Sequence, residues 1–64
     1  MERNTLTVIE TAAYLGVSKD SIYTLVRENS IPYVRVGKRI LFRKETIDSW
    51  MQMQEKNHVL IYER

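Results

Sequence analysis

Hydroxyl, carboxylate and guanidinium groups recur between residues 20 and 28 at a spacing that suits one face of a helix. At roughly 100° per residue, they fall opposite the apolar residues Ile22, Leu25 and Val26. Hydroxyls can hydrogen-bond to phosphates or base edges, and an arginine can form a forked pair with a guanine or a phosphate. The spacing therefore indicates noncovalent recognition of a polyanion. This polar face comprises Asp20, Ser21, Tyr23, Thr24, Arg27 and Glu28.

A second group of cations surrounds Gly37. The whole chain has a formal net charge of only +2, but residues 18–43 hold six basic residues against two acidic ones, a net charge of +4. Concentrated basic charge is the electrostatic footprint of a polyanionic partner. The alternatives are ordinary solvated surface and cations that protect a sheet edge from aggregation. The cations near Gly37 are Arg35, Lys38, Arg39 and Arg43.

Catalytic and cofactor chemistry finds no support in the residue pattern. His58 is the single histidine, cysteine is absent, and no spaced carboxylates would complete a metal site. No serine lies in a nucleophile motif, and Gly16 and Gly37, the only two glycines, cannot form a phosphate-cradling loop. We therefore expect no enzymatic activity, cofactor, metal or small-molecule substrate.

The length bounds the architecture to one domain over residues 1–64. A chain of this size buries only about 60% of the surface that its unfolded form exposes, so its core must be small. No run approaches the roughly 18 apolar residues of a membrane span, and no secretion signal opens the chain. A soluble, cytoplasmic protein is expected.

Two short helices joined by a tight turn are predicted to present the polar face. Thr7 and Glu10 have the spacing of a capping box, which predicts a first helix over Val8–Leu15. Gly16 suits the left-handed position after that helix, and Ser18 is the N-cap of a second helix over Lys19–Glu28. Val17 between them is expected to point inward. This is a helix-turn-helix pattern.

A β-hairpin is predicted after the second helix. Two β-branched runs, residues 33–36 and 39–43, flank the pair Gly37-Lys38, which favours a type II′ turn. The inward face is expected to carry Val34, Val36, Ile40 and Phe42, and Arg35, Lys38, Arg39 and Arg43 are expected to project outward.

A third helix is predicted from Lys44 to about Glu55, with Trp50 as the keystone of the core. Residues 1–5 carry no strong structural signal and are expected to form a loose arm. The tail, residues 57–64, contains the apolar run Val59–Tyr62. It could pack against the domain or contact another chain, and the sequence leaves both alternatives open.

The order of these features resembles one family, the excisionase-type group of small winged-helix DNA-binding domains, a branch of the MerR-like superfamily. The resemblance covers about residues 5 to 52. It implies an α+β winged helix-turn-helix with three short helices and a two-stranded antiparallel hairpin, the wing, between helices 2 and 3. The matching stretches are Leu6–Ser18, Ile22–Tyr23, Ile31–Pro32, Val34–Ile40 and the set Ile47, Trp50 and Met51.

The resemblance also implies how DNA would be contacted. The second helix would enter the major groove, and the wing would reach the adjacent minor groove or the backbone. The chain departs from the family pattern at Glu28-Asn29-Ser30, where a glycine is more usual. The implied helix contacts are Ser18, Lys19, Ser21, Tyr23, Thr24 and Arg27, and the implied wing contacts are Arg35, Lys38 and Arg39.

Family members act as accessory factors that steer an integrase toward excision of a mobile element, and others regulate transcription of such elements. The resemblance therefore implies double-stranded DNA as the partner, with an integrase and further copies of the chain as protein partners and a location at the bacterial nucleoid. Another hypothesis is a protein-interaction adaptor that works through the apolar tail.

Overall fold

The structure is a computed structural model that describes residues 4–58, and the side chains of residues 4–56. It confirms the α+β class, with three helices and a hairpin between the second and the third. A third strand joins that hairpin. The elements in chain order are β1 (Thr5–Thr7), α1 (Val8–Leu15), α2 (Lys19–Arg27), β2 (Val34–Val36), β3 (Arg39–Arg43) and α3 (Lys44–His58).

Helix α1 begins and ends where the sequence predicts. The Thr7 hydroxyl accepts from the Glu10 amide at 3.1 Å, and the Glu10 carboxylate accepts from the Thr7 amide at 2.9 Å. The chain turns at Gly16, whose φ of 76° lies in the left-handed region. The amides of Gly16 and Val17 then bond to the carbonyls of Ala13 and Ala12, the pattern of a Schellman motif.

Helix α2 ends in the same kind of turn, with asparagine in the place of glycine. Asn29 has a φ of 56°, and its amide bonds to the Val26 carbonyl at 3.0 Å. The next amide, that of Ser30, bonds to the Leu25 carbonyl at 2.8 Å. Asparagine tolerates the left-handed conformation better than most residues with a side chain. The helix therefore ends in a left-handed turn without a glycine.

The prediction of a loose arm over residues 1–5 is wrong for Thr5, which belongs to strand β1. The sheet is antiparallel in the order β1-β3-β2, and Thr5 pairs with Arg43 while Leu6 pairs with Phe42. The ladder extends to the Lys44 amide, which donates to the Asn4 carbonyl at 2.9 Å. Both edges of the hairpin would otherwise be open, and β1 covers one of them.

The predicted facing of the hairpin is half wrong. The tight turn pairs Val36 with Arg39, so Val34 pairs with Leu41 and Arg35 with Ile40. Directly paired side chains share a face of a sheet. Val34 and Val36, expected inside, therefore lie on the outer face and are 48% and 55% exposed. The outward facing predicted for Arg35 is also wrong, because Arg35 shares the face of its partner Ile40, although it is exposed there. Of the two turn residues, only Gly37 has a positive φ, 61°, and this agrees with the predicted type II′ turn.

The centre of the core is formed by Ile22, Phe42 and Ile47, each with no exposed surface. Trp50, expected to be the keystone, is only partly buried and packs against the edge of this cluster. Val17 is also more exposed than predicted, at 44%. Three elements, α2, β3 and α3, each contribute one of the central residues. The rest of the core is Val8, Ala12, Val26 and Ile31.

Helix α3 follows β3 without a break and continues to His58, three residues beyond the predicted end. The apolar run Val59–Tyr62, predicted either to pack against the domain or to contact another chain, lies outside the described residues.

Candidate nucleic-acid interface

The polar face of α2 is solvent-facing because the opposite side of the helix is anchored in the core. Ile22 is fully buried and Val26 is 8% exposed. Thr24 is half-buried, and Tyr23 is 45% exposed. The structure thus brings all the predicted helix contacts onto α2 and its N-cap, with an accessible side. The other members, Ser18, Lys19, Ser21 and Arg27, are also exposed.

The first turn of α2 is ordered by its own hydroxyl groups. The Ser18 hydroxyl accepts from the Ser21 amide at 3.2 Å, which confirms Ser18 as the N-cap. The two serine hydroxyls lie 3.1 Å apart and share a hydrogen bond. Ser18 therefore has a structural role at this helix end, whatever further contact it makes.

The last turn of α2 carries a second set of internal hydrogen bonds. The Thr24 hydroxyl donates to the Asp20 carbonyl at 3.0 Å, and Nη2 of Arg27 donates to the Thr24 hydroxyl at 3.3 Å. Asp20 takes part in this set through its backbone oxygen.

The wing places its cations at and beside the turn. Arg35, Lys38 and Arg39 are all exposed, and none of them forms an ion pair within residues 4–56. Arg43, at the far end of β3, lies 3.9 Å from the Glu45 carboxylate instead. The tip of the wing therefore keeps its positive charge uncompensated by neighbouring carboxylates in the described part of the chain.

A surface groove connects the wing to α2. Tyr23 of α2, Lys38 and Arg39 of the wing and the start of α1 all line it. Ile9 of α1 is among these lining residues and is 64% exposed. The complete lining is Thr7, Val8, Ile9, Tyr23, Lys38, Arg39 and Ile40.

Sequence reasoning missed the contribution of α1 to this groove. The exposure of Ile9 has a local signal, because at roughly 100° per residue it lies well around the helix from the buried residues Val8 and Thr11. Its proximity to the wing has no such signal. The other predicted contacts, including Thr24, Arg27 and Arg35, do not line the groove.

A separate polar cluster joins α1 to α3, away from the groove. The Tyr14 hydroxyl donates to the Asp48 carboxylate at 2.5 Å, and Nζ of Lys44 lies 5.5 Å from the centroid of the Tyr14 ring. This hydrogen bond raises the pKa of Tyr14 above its ordinary value of 10.0, and desolvation and the negative charge of Asp48 act in the same direction. The cluster links the side chains of the two helices.

Within the described residues, no three histidine, cysteine or carboxylate side chains are grouped to hold a metal ion. None of the helices in this part of the chain has the length and apolar character needed to traverse a bilayer.

Comparison with known proteins adds an independent finding. Residues 5–55 match the helix-turn-helix domain family. The uncharacterised protein YoeD of Bacillus subtilis (strain 168) is 36% identical over 58 residues, which cover 91% of this chain and 76% of the relative. No solved structure matches the chain significantly. The family match spans α1, α2, the wing and most of α3.

Proposed function

Because the chain belongs to the helix-turn-helix domain family, we propose that it docks on double-stranded DNA with α2 in the major groove and the wing on the adjacent minor groove or the backbone. Family membership confirms the resemblance drawn from residues 5 to 52. Sequence-specific DNA binding is the activity that it supports. The docking geometry, the contact residues and the biological role are the steps that we add.

The observation that carries the proposed geometry is the groove shared by α2 and the wing. Tyr23 lines this groove together with Lys38 and Arg39, and no lining residue is acidic. A duplex that meets the outer face of α2 would therefore meet the wing cations at the same time. Simultaneous contact at two grooves fixes the register of a protein on DNA.

The polar face of α2 suits direct readout. A major groove about 12 Å wide accepts a helix, and short hydroxyl side chains allow close approach to base edges. Arg27 can pair with a guanine, while Lys19 is suited to a phosphate. The residues for which the family resemblance implies DNA contact from this helix and its N-cap are Ser18, Lys19, Ser21, Tyr23, Thr24 and Arg27.

The wing supplies most of the positive charge. Helix α2 carries Lys19 and Arg27 against Asp20, whereas the wing tip carries Arg35, Lys38 and Arg39 without an acidic residue between them. Affinity should therefore depend mainly on the wing, and base preference mainly on α2. Phosphate contacts from the wing would act on every sequence alike.

The proposed role is that of an accessory factor that directs integrase-mediated excision of a mobile element. It rests on the resemblance to excisionase-type domains and includes an integrase and further copies of the chain as partners. Footprinting on the DNA that flanks the native gene, with and without a candidate integrase, tests it. Integrase-dependent extension of a footprint supports the role. A footprint over a promoter, unchanged by integrase, would instead favour transcription regulation.

A further inference from the structure

We propose that Thr24 is a positioning residue, which fixes the guanidinium of Arg27 for base recognition instead of reading a base itself. This inference rests on the proposed function, since it concerns how α2 distinguishes sequences. It changes the role that the family resemblance implies for Thr24, which is direct contact with DNA.

The hydrogen bonds of Thr24 leave its hydroxyl little capacity for DNA. A threonine hydroxyl has one proton to donate and two lone pairs. The proton is donated to the Asp20 carbonyl at 3.0 Å, and one lone pair accepts from Nη2 of Arg27 at 3.3 Å. These two bonds leave one lone pair of the hydroxyl, and the half-buried position of the side chain limits access to it.

Arg27 gains from the same contact. It is the last residue of α2, and its guanidinium lies one turn back, beside Thr24. Helical side chains lean toward the N-terminus, so this direction is unstrained. The contact moves the positive charge from the helix end toward the middle of the outer face.

The guanidinium also keeps enough donors for recognition. Arginine has five N–H groups in a rigid fork, and the bond to Thr24 uses one of them. The remaining donors can form the bidentate pair with a guanine that is the commonest specific arginine contact. A side chain that is already held in place loses less conformational freedom on binding.

The experiment uses the full chain and duplexes selected from a random-sequence library. Wild type, Thr24→Val, Thr24→Ser, Arg27→Ala and the double variant Thr24→Val/Arg27→Ala are each tested for base preference by competition binding. Thr24→Val keeps the shape and removes the hydroxyl, while Thr24→Ser keeps the hydroxyl. Thermal unfolding followed by circular dichroism shows that each variant is folded. The mobility of the Arg27 Nε–H group, measured by NMR in the free protein, gives a readout without DNA.

We expect Arg27→Ala to reduce the preference at one base pair by roughly 5- to 150-fold, the range of a bidentate contact. Thr24→Val should reduce the preference at that same base pair by roughly 2- to 12-fold, the range of one neutral hydrogen bond. It should also loosen the Arg27 side chain, and it should have no further effect once Arg27 is alanine. Thr24→Ser should retain the wild-type preference.

Three results would overturn the inference while leaving DNA binding intact. They are an unchanged preference in Thr24→Val, a loss at a different base pair, and a loss that persists in the Arg27→Ala background. In the last two cases Thr24 would itself contact DNA. If the wild-type chain enriches no sequence from the library, the proposed function fails as well, and that outcome is distinct from the other three.

Discussion

The indole Nε1 of Trp50 donates a 2.9 Å hydrogen bond to the carbonyl oxygen of Ser30. Ser30 closes the Schellman-type turn after α2, because its amide bonds to the Leu25 carbonyl. Trp50 in α3 therefore holds the C-terminal end of α2 in place. This contact gives the tryptophan a defined role at the margin of the core, where it orders the helix that carries the polar face.

Replacing Trp50 by phenylalanine should destabilise the domain. Phenylalanine retains much of the apolar contact but cannot donate to the Ser30 carbonyl, and a lost hydrogen bond costs about 1 kcal/mol. We expect the free energy of unfolding to fall by about 1–2 kcal/mol, measured by denaturant unfolding with circular dichroism. Met51→Leu, at an exposed neighbouring position, is the control and should change little. Equal stability of both variants would show that the indole bond contributes nothing.

The turn that Trp50 holds depends on the conformation of Asn29. At a φ of 56° an alanine side chain is strained, and the left-handed region costs most L-residues roughly 1–2 kcal/mol. Asn29→Ala should lower the free energy of unfolding by about 1 kcal/mol, whereas Asn29→Gly should stay within about 0.5 kcal/mol of wild type. Ser30→Ala is the matched control, since it leaves both backbone bonds in place. A melting series in which alanine and glycine behave alike would contradict this account.

Features that depend on neighbouring residues were predictable from the sequence. The capping pair Thr7 and Glu10, the N-cap Ser18 and the glycine at position 16 each act within a few residues, and all were found as predicted. The facing of the hairpin was also predictable from a local rule, although the prediction for Val34 and Val36 was wrong. A two-residue turn at Gly37 requires Val36 to pair with Arg39, and this pairing places both valines on the face of the sheet that does not carry Phe42.

Features that depend on distant contacts were not predictable in the same way. Strand β1 has only three residues, and it exists because β3 offers it a ladder 34 to 38 positions later in the chain, where Thr5 meets Arg43 and Thr7 meets Leu41. The helical spacing gave the polar face of α2. Tyr23 lines one groove with Lys38 and Arg39 because of how the wing packs, and no local pattern encodes this proximity.

Thr11 offers a route to a more stable domain. Its side chain is fully buried, and its hydroxyl has no hydrogen-bond partner within the described residues. Leaving a buried polar group unsatisfied costs about 1–3 kcal/mol. Thr11→Val replaces the hydroxyl by a methyl group of similar size and should raise the free energy of unfolding by about 1 kcal/mol. Thr11→Ser, which keeps the hydroxyl and removes the methyl group, should lower it. Chemical denaturation of the three proteins checks the order, and a less stable valine variant would show that the hydroxyl is satisfied in solution.

The contact between Tyr14 and Asp48 predicts a specific alkaline behaviour. The folded-state pKa of Tyr14 is raised above 10.0, so the stabilisation from this bond is complete below about pH 10 and is lost as the pH rises through the folded-state pKa. Ultraviolet titration should show a phenol that ionises above pH 10 and disappears in Tyr14→Phe. In Asp48→Asn that pKa should move down toward the ordinary value, because the carboxylate is gone. A titration curve unaffected by Asp48→Asn would remove Asp48 as the cause.

The wing gives the most direct test of the proposed docking. Lys38→Ala/Arg39→Ala removes two cations that line the groove. Each lost phosphate contact should lower the salt slope of binding by about 1. We therefore expect weaker binding to every duplex and a slope of log K against log salt that is smaller by about 2, measured by fluorescence anisotropy. Arg43→Ala is the matched control, because Arg43 is an exposed cation of the same strand that lies beside Glu45, outside the groove. If Arg43→Ala reduced affinity and salt slope as much as the changes at the tip, net charge alone would explain the effect, and the wing would have no specific place on the duplex.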